Sequence, residues 1–253
     1  MAVYSLSNMI AVIIPIYNHP HHIDTLCKNI LQYKEIRRII LVNDGSDQFC
    51  TTLLRKLAQH KMIKLIEHPQ NLGKGAAVLS GLHQAQAMGY SHALQIDADG
   101  QHDISAMDHF LLASQLNPKA FIIGYPKYDQ SVPTIRLLAR YLTHIWVWIN
   151  TLSFDIKDSM CGFRLYPVTS VLDLANTNKL GKRMDFDTEI LVKSNWAGGK
   201  MINLPVKVTY PQDGRSHFRL WQDNYLITCM HIKLFFGMLV RLPKLIVRKI
   251  KGH

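Results

Sequence analysis

The feature that most constrains the fold of this sequence is a regular alternation of short apolar runs with helix-like segments. The runs are typical of buried strands, whereas apolar residues between them recur every three or four positions. The predicted strands are residues 9–16, 38–42, 62–67, 92–96 and 120–124, and the predicted helices are residues 23–33, 53–60, 75–88 and 108–115. Because parallel strands need a crossover connection, this order predicts an α/β fold with a mostly parallel central sheet flanked by helices.

A polar side chain stands where each of the first four predicted strands ends. Asn18 follows the first strand, Asp44 the second and Asn71 the third, and Asp97 and Asp99 follow the fourth. In open α/β sheets, ligands bind beyond the carboxyl ends of the strands. We therefore expect these four turns to form a single site.

Asp97 and Asp99 are two residues apart directly after a buried strand, so both carboxylates project from the same side of an extended segment. Oxygen ligands in such a pair suit Mg²⁺ or Mn²⁺, which usually also binds a substrate phosphate. Gln101 follows closely and adds a further oxygen. The plainer interpretation is a polar turn with capping aspartates, but the three other polar turns at the same edge favour a metal site.

Two further turns are consistent with nucleotide binding. Asp44 is suited to accept hydrogen bonds from a nucleobase, and it also fits an ordinary strand-to-helix turn. The loop at residues 68–75 contains two glycines and Lys74 at a predicted helix start, which favours phosphate. Its spacing is not that of a Walker A loop, and no G-x-G-x-x-G follows the first strand, which disfavours a nicotinamide or flavin enzyme.

The net charge of +11 indicates an anionic partner. Residues 215–251 contain eight Lys or Arg and a single acid, Asp223, so this segment carries seven of the eleven net charges. Residues 225–250 are otherwise apolar, which predicts an amphipathic helical segment on a membrane surface rather than a core helix. Without a long uncharged apolar run, we expect no membrane-spanning helix. The predicted division is a catalytic domain at 1–220 and a basic membrane-interface tail at 221–253.

Four motifs in this order resemble the family 2 glycosyltransferases of the GT-A fold, which have a Rossmann-like sheet. They are Pro15-Ile16-Tyr17-Asn18, Asn43-Asp44-Gly45-Ser46-Asp47, the loop from His68 to Gly75, and Asp97-Ala98-Asp99-Gly100-Gln101-His102. The last motif is most similar to that of dolichyl- or polyprenyl-phosphate mannose or glucose synthases. The resemblance continues through Asp158-Ser159-Met160-Cys161-Gly162-Phe163-Arg164 and weakly through residues 214–219, where His217 replaces a usual lysine.

The resemblance implies a role for each matching residue. The residues expected to bind the nucleotide-sugar are Pro15, Tyr17, Asn18, Asp44, Asn71, Lys74 and Asp97. The residues expected to bind the metal are Asp97, Asp99 and Gln101, and Asp99 is also counted as catalytic. Donor or acceptor phosphates are expected at Arg164, which is also counted as catalytic, and at Arg136, Arg140, Arg215, Ser216 and Arg219. If the acceptor is a hydroxyl group, a general base is needed, and Asp187 and Glu189 are the residues for it.

The implied reaction is an inverting transfer of a sugar from a UDP- or GDP-linked donor to a membrane-associated acceptor, in the first place a polyprenyl phosphate. Such an enzyme lies on the inner face of the membrane, with anionic lipid as its partner and a membrane protein as a further partner left open. A hydroxyl acceptor on another lipid or glycan and a nucleotidyltransferase activity remain alternatives. A nucleic-acid-binding protein would share the positive charge but not the acidic pair, so nucleic acid is not expected as a partner.

Overall fold

The computed structural model describes residues 9–128, 132, 134–209 and 219–251, without the side chains of 134–136, 139 and 220. The strands are β1 (Ile10–Ile16), β2 (Ile36–Asn43), β3 (Ile63–Glu67), β4 (His92–Gln95), β5 (Phe121–Tyr128), β6 (Arg164–Pro167) and β7 (Met201–Val208). The helices are α1 (Ile23–Ile30), α2 (Gln48–Leu57), α3 (Lys74–Ala87), α4 (Met107–Leu116), α5 (Thr134–Thr151), α6 (Val168–Thr177), α7 (Phe186–Trp196) and α8 (Leu220–Ile250). Each strand and helix predicted between residues 9 and 124 is therefore present.

The described strands form one seven-stranded sheet in the order β3-β2-β1-β4-β6-β5-β7. Every neighbouring pair is parallel except the two made by β6, which runs antiparallel to β4 and to β5. The mostly parallel sheet is thus confirmed, with one reversed strand that the sequence did not predict. Because β6 is reversed, the chain just before it lies at the edge where β4 ends.

Both faces of the sheet are buried, which explains why the central strands read as continuous apolar runs. Along β1, Ala11 and Ile13 face the core under α3, α6 and α7, whereas Val12 and Ile14 face the core under α1, α2 and α4. Helix α3 approaches β1 closely at Gly81, where a Cβ would lie 2.5 Å from Ile13 Cγ2. This close contact fixes the start of α3 over the carboxyl edge of the sheet.

The basic C-terminal segment forms one long helix, α8, which packs against α5 and α7. Its Met230, Leu234, Met238 and Leu245 are buried in the core cluster that also contains α3 and α7. Arg248 donates to the side chain of Asn195 at the end of α7, with an Nη2–Oδ1 distance of 2.6 Å. The predicted C-terminal helical structure is thus present as one helix. The boundary at residue 220 stays a prediction.

One described helix segment, Trp221–Ile250, is long and apolar enough to cross a membrane, with a mean hydropathy of 1.5. Only 22% of its most apolar window is buried against the rest of the chain. This finding differs from our expectation of no spanning helix, because scattered basic residues lower the hydropathy less than the long aliphatic side chains raise it. Length and composition alone do not distinguish a span from a helix lying on the surface.

Candidate active site

The polar turns after β1 and β2 are joined to each other at the carboxyl edge of the sheet. Asn18 N donates to Ser46 Oγ at 3.0 Å, and Asp47 N donates to Asn18 Oδ1 at 2.8 Å. Asn18 has a φ of 52°, a conformation that asparagine tolerates better than most residues. Tyr17 and Pro15 are half-buried beside this turn. The structure therefore brings the first two predicted motifs together.

Asp44 holds the third motif in place. Its carboxylate accepts hydrogen bonds from Leu72 N at 2.9 Å, Gly73 N at 2.8 Å and Asn71 Nδ2 at 3.0 Å, and Nδ1 of His68 lies 2.7 Å away. The residue is only 2% exposed. Asp44 thus fixes the loop at residues 68–73, which we call the donor loop.

This arrangement corrects two expectations from the sequence. The Asp44 carboxylate is occupied by the donor loop, so its lone pairs are not presented to a nucleobase. The N–H groups of Leu72 and Gly73 point at Asp44 and do not form an open phosphate cradle. The physical reason is that a buried carboxylate must be hydrogen-bonded, and these amides are the nearest donors.

A row of alternating charges lies under the edge of the sheet. Lys74 Nζ is 2.9 Å from Oδ1 of Asp97 and 2.8 Å from Oδ2 of Asp187, and Arg164 Nη1 is 3.3 Å from Oδ1 of Asp187. Burial alone would lower the pKa of Lys74, but the charges of Asp187 and Asp97 raise it above its usual value. Burial would raise the pKa of Asp97, but Lys74 outweighs it and the pKa is lowered. Lys74 and Asp97 are therefore both charged.

Arg164 lies at the buried end of this row and makes contacts different from those predicted. It is 0% exposed, and it donates to Cys161 O at 2.7 Å, Asp187 O at 2.6 Å and Ser159 O at 2.6 Å. Its guanidinium therefore anchors main-chain oxygens and does not face a substrate phosphate. Arg164 begins β6, which lies between β4 and β5 within the sheet, so its side chain is enclosed by neighbouring elements.

The two residues predicted as general bases have different surroundings. Asp187 lies in the charged row, in contact with Lys74 and Arg164. Glu189 accepts a hydrogen bond from Gly181 N at 2.6 Å and pairs with Lys193 at 2.7 Å. Glu189 thus stabilises the loop before α7, and the structure brings Asp187 alone of the two next to Asp97.

The residues predicted to bind a metal fit an ion that takes several ligands from its substrate. Within the described part of the chain, the buried Oδ1 of Asp97 accepts no aligned hydrogen bond. Asp99 lies half-buried two residues on, and its Oδ1 accepts from Gln101 N at 3.0 Å. The described residues contain no group of three or more His, Cys, Asp or Glu side chains that could hold an ion. A pair of carboxylates with an amide oxygen suits Mg²⁺ or Mn²⁺ bound mainly through a diphosphate.

Of the predicted acceptor-side arginines, the two with described side chains lie on different elements. Arg140 of α5 forms a bidentate pair with the buried Asp158, at 2.6 and 2.8 Å. Arg219 precedes α8 and is exposed, with Nη1 3.1 Å from Gln222 Oε1. The side chain of Arg136, and Arg215 and Ser216 as a whole, lie outside the described residues.

Two residues that shape this site, Asp158 and Gly162, were not assigned a role from the sequence. Asp158 accepts from Arg140, from Met160 N and from Cys161 N, and it holds the segment before β6 in place. Burial would raise the pKa of Asp158, but the hydrogen bond from His144 and the charge of Arg140 hold it well below its usual range. Gly162 is directly beside Asp97. The available signal was the motif at 158–164, whose glycine and aspartate mark a tight turn.

The position of Gly162 makes a specific prediction. A Cβ on this residue would lie 2.0 Å from Oδ2 of Asp97, so Gly162→Ala must displace the Asp97 carboxylate or the turn. We expect this variant to lose most of its activity while its unfolding midpoint falls by only a few degrees. Gly198→Ala is a control for backbone strain alone: its φ of 90° disfavours alanine, but its Cβ position has open space around it and does not approach Asp97. Full activity of Gly162→Ala in a kinetic assay would contradict the placement of Asp97.

Solved structures share this architecture. Glucosyl-3-phosphoglycerate synthase from Mycobacterium tuberculosis, in complex with UDP, is similar with a TM-score of 0.68 at 14% identity, over 90% of this chain and 80% of that one. Mannosyltransferase PcManGT from Pyrobaculum calidifontis, in complex with GDP-Man and Mn²⁺, matches with a TM-score of 0.58 at 16% identity, over 92% of this chain and 64% of that one. The predicted GT-A fold, the fold class of nucleotide-sugar glycosyltransferases, is thereby confirmed.

Sequence comparison then identifies the family. The family model described as "Glycosyl transferase family 2" matches residues 11–172, and the chain belongs to this family. It is 29% identical over 204 residues to dolichyl-phosphate beta-glucosyltransferase ALG5D of Trichomonas vaginalis, covering 72% of this chain and 60% of the relative. It is 25% identical over 222 residues to UDP-N-acetylglucosamine–dolichyl-phosphate N-acetylglucosaminyltransferase of Methanococcus voltae, covering 81% of this chain and 87% of that relative. The chain thus spans about three fifths of the glucosyltransferase.

Proposed function

We propose that this chain transfers a sugar from a UDP- or GDP-linked donor to a polyprenyl phosphate, with inversion at the anomeric carbon and dependence on Mg²⁺ or Mn²⁺. The observation that carries this proposal is the cluster of Asp97, Asp99, Lys74 and Asp187 at the carboxyl edge of a GT-A sheet. The relatives named above support it, because their names specify dolichyl phosphate together with glucosyl or N-acetylglucosaminyl transfer.

Each residue in the cluster has a distinct part in the proposed reaction. Asp99, Asp97 and Gln101 would hold the metal, which when bound neutralises charge on the departing nucleoside diphosphate. Lys74 keeps Asp97 ionised and fixed toward the edge, since its ammonium lies between two carboxylates. Arg164 supports Asp187 from behind. These are preorganised charges, which contribute most where water is excluded.

A phosphate acceptor fits this site better than a hydroxyl acceptor. A hydroxyl needs a general base in reach of its proton, whereas an ionised phosphate oxygen is already nucleophilic. Asp187 is engaged by Lys74 and Arg164, and Glu189 by Lys193 and Gly181 N. Neither carboxylate has an evident position for taking a proton, which supports the lipid phosphate.

The outer surfaces of α5 and α8 support a membrane location for the acceptor. The two helices pack on each other, and both expose large apolar side chains. Those with the largest exposure are Leu138, Tyr141 and Leu142 on α5 and Trp221, Tyr225, Phe236, Val240 and Ile250 on α8. Exposed Lys233, Arg241, Lys244 and Lys249 lie on α8 among them. A basic-apolar surface of this kind fits the cytoplasmic face of an anionic bilayer.

A donor and acceptor screen tests the function. The full chain is incubated with UDP-glucose, UDP-N-acetylglucosamine or GDP-mannose, with and without a polyprenyl phosphate, in Mn²⁺, Mg²⁺ or EDTA. We expect one donor to yield a lipid-linked sugar that requires both the lipid phosphate and the metal. Parallel incubations replace the lipid by a hydroxyl-bearing glycan, or the donor by a nucleoside triphosphate. Transfer to the glycan alone, or release of pyrophosphate, would instead establish one of the alternative activities.

A further inference from the structure

The acid that stands alone in the basic C-terminal segment is buried against the catalytic domain. Asp223 is 0% exposed, and its Oδ2 accepts from Arg219 N at 2.7 Å, which caps the start of α8. Its Oδ1 lies 3.4 Å from Nε of Arg183, a residue of the loop before α7. The first turn of α8 is therefore joined by an ion pair to a loop of the catalytic domain.

Arg183 extends this connection to the donor loop. Its Nη1 donates to Asn71 Oδ1 at 3.2 Å, while Nδ2 of the same asparagine donates to Asp44 Oδ2 at 3.0 Å. One guanidinium thus reaches Asp223 with one nitrogen and the donor loop with another. The result is a continuous polar chain from α8 to Asp44 in which each side chain contacts the next.

Main-chain packing at the same place leaves little freedom between the two loops. Ala76 N donates to Lys182 O at 3.0 Å. Gly73, with a φ of 104°, lies so close that a Cβ would be 2.4 Å from Lys182 O and 2.8 Å from Arg183 Cγ. A shift of the segment that carries Arg183 must therefore move the donor loop as well.

The same turn of α8 faces outward with apolar side chains. Trp221 is 90% exposed and Tyr225 is 69% exposed, each two residues from the fully buried Asp223. The side chains that would contact lipid and the one that holds Arg183 thus belong to the same turn of the helix.

We propose that Arg183 and Asp223 are positioning residues for the donor loop. The position of α8 against the loop that carries Arg183 then determines the affinity for the donor nucleotide. Neither residue needs to touch the donor, because they act through Asn71 on the loop that leads to Lys74, which pairs with Asp97. The inference rests on the proposed function only in taking the donor loop as part of the nucleotide site.

The test uses the full chain and two readouts, of which one does not depend on activity. Hydrogen exchange of the Leu72 and Gly73 amides reports how firmly the donor loop is held. Equilibrium dialysis with UDP and with GDP reports the nucleotide affinity. We expect Arg183→Met and Asp223→Asn to accelerate exchange at both amides and to weaken nucleotide binding by about tenfold, a size typical of coupling between sites. Asp223→Asn keeps an oxygen for Arg219 N, so the helix cap survives.

Matched variants separate positioning from general destabilisation. Arg55→Met removes an exposed arginine–carboxylate pair with Glu67, just before the donor loop, and should leave both readouts unchanged. Arg183→Lys keeps a positive charge for Asp223 but lacks a second nitrogen to donate to Asn71. Its amide exchange rates and nucleotide affinity should lie between those of wild type and Arg183→Met. In kinetics, KM for the donor should rise while KM for the acceptor stays constant.

Three results would overturn the proposal. In the first, Arg183→Met has the same amide exchange and the same nucleotide affinity as Arg55→Met. In the second, exchange becomes faster evenly over the central strands. In the third, only the KM for the acceptor changes. If wild type binds neither UDP nor GDP, the proposed function fails, and exchange at Leu72 and Gly73 still decides whether Arg183 positions the loop.

Discussion

Replacement of Asp99 by alanine is expected to lower sugar transfer by about a hundredfold to a thousandfold, the effect of removing a preorganised charge group from an active site. Asp99 is half-buried and is not part of the charged row, so its loss leaves Lys74 paired with Asp97 and Asp187. We therefore expect the variant to unfold within a few degrees of wild type. Activity is measured by transfer from the donor found in the screen, and stability by thermal unfolding.

The control for this variant is an aspartate in the same segment. Asp103→Ala removes an exposed side chain whose Oδ1 accepts from Ser105 N, so it changes a local cap and should retain most of the activity. Residual activity of Asp99→Ala should no longer respond to added Mn²⁺. If wild type remains fully active in EDTA, or if Asp99→Ala does, then Asp99 does not act through a metal.

Truncation after Trp221 is expected to unfold the protein rather than release a soluble catalytic domain. It removes Met230, Leu234, Met238 and Leu245, all buried in the main core cluster. Loss of each such side chain costs about 2–5 kcal/mol. Together these losses are comparable with or larger than the roughly 5–15 kcal/mol of net stability of a typical domain. Circular dichroism and size exclusion would show this, and a folded, monodisperse truncated protein would contradict it.

Membrane binding is better tested on the outer face of α8. Phe236→Ser with Val240→Ser changes two side chains that are 62% and 80% exposed, so the core is untouched. We expect this double variant to sediment less with vesicles of phosphatidylcholine and phosphatidylglycerol at unchanged thermal stability, because apolar burial contributes to interfacial binding. Phe49→Ser on α2, at 71% exposure, is the matched control. Unchanged sedimentation of the double variant would remove the membrane surface from the proposal.

The polar residues at strand ends show how far local pattern carries a prediction. Asn18, Asp44, Asn71 and Asp97 were placed at one edge from their positions after apolar runs, and the structure gathers them there. This works because strand periodicity and parallel pairing fix which end of each strand meets its neighbours. The contacts of each side chain could not be predicted in the same way, since the Asp44 carboxylate accepts its hydrogen bonds from the donor loop.

Arg164 and Asp223 show where local pattern fails. The short segment at Arg164–Pro167 carries no clear alternation, so neither the reversed β6 nor the burial of Arg164 was foreseen. Asp223 was noticed as the one acid in a basic segment, but its partner Arg183 is 40 residues away. Pairings of this kind depend on how distant helices and loops pack.

The sequence by itself determined the α/β class, the positions of the first five strands along the chain, the edge where the polar turns meet, and the family. Those properties follow from apolar periodicity and from residues that are close in the chain. The tertiary structure alone decided that Lys74 lies between Asp97 and Asp187, that Arg164 supports main-chain oxygens, and that the basic helix joins the catalytic core. Buried charges must find partners wherever packing places them, and the chain distance between those partners leaves no local signal.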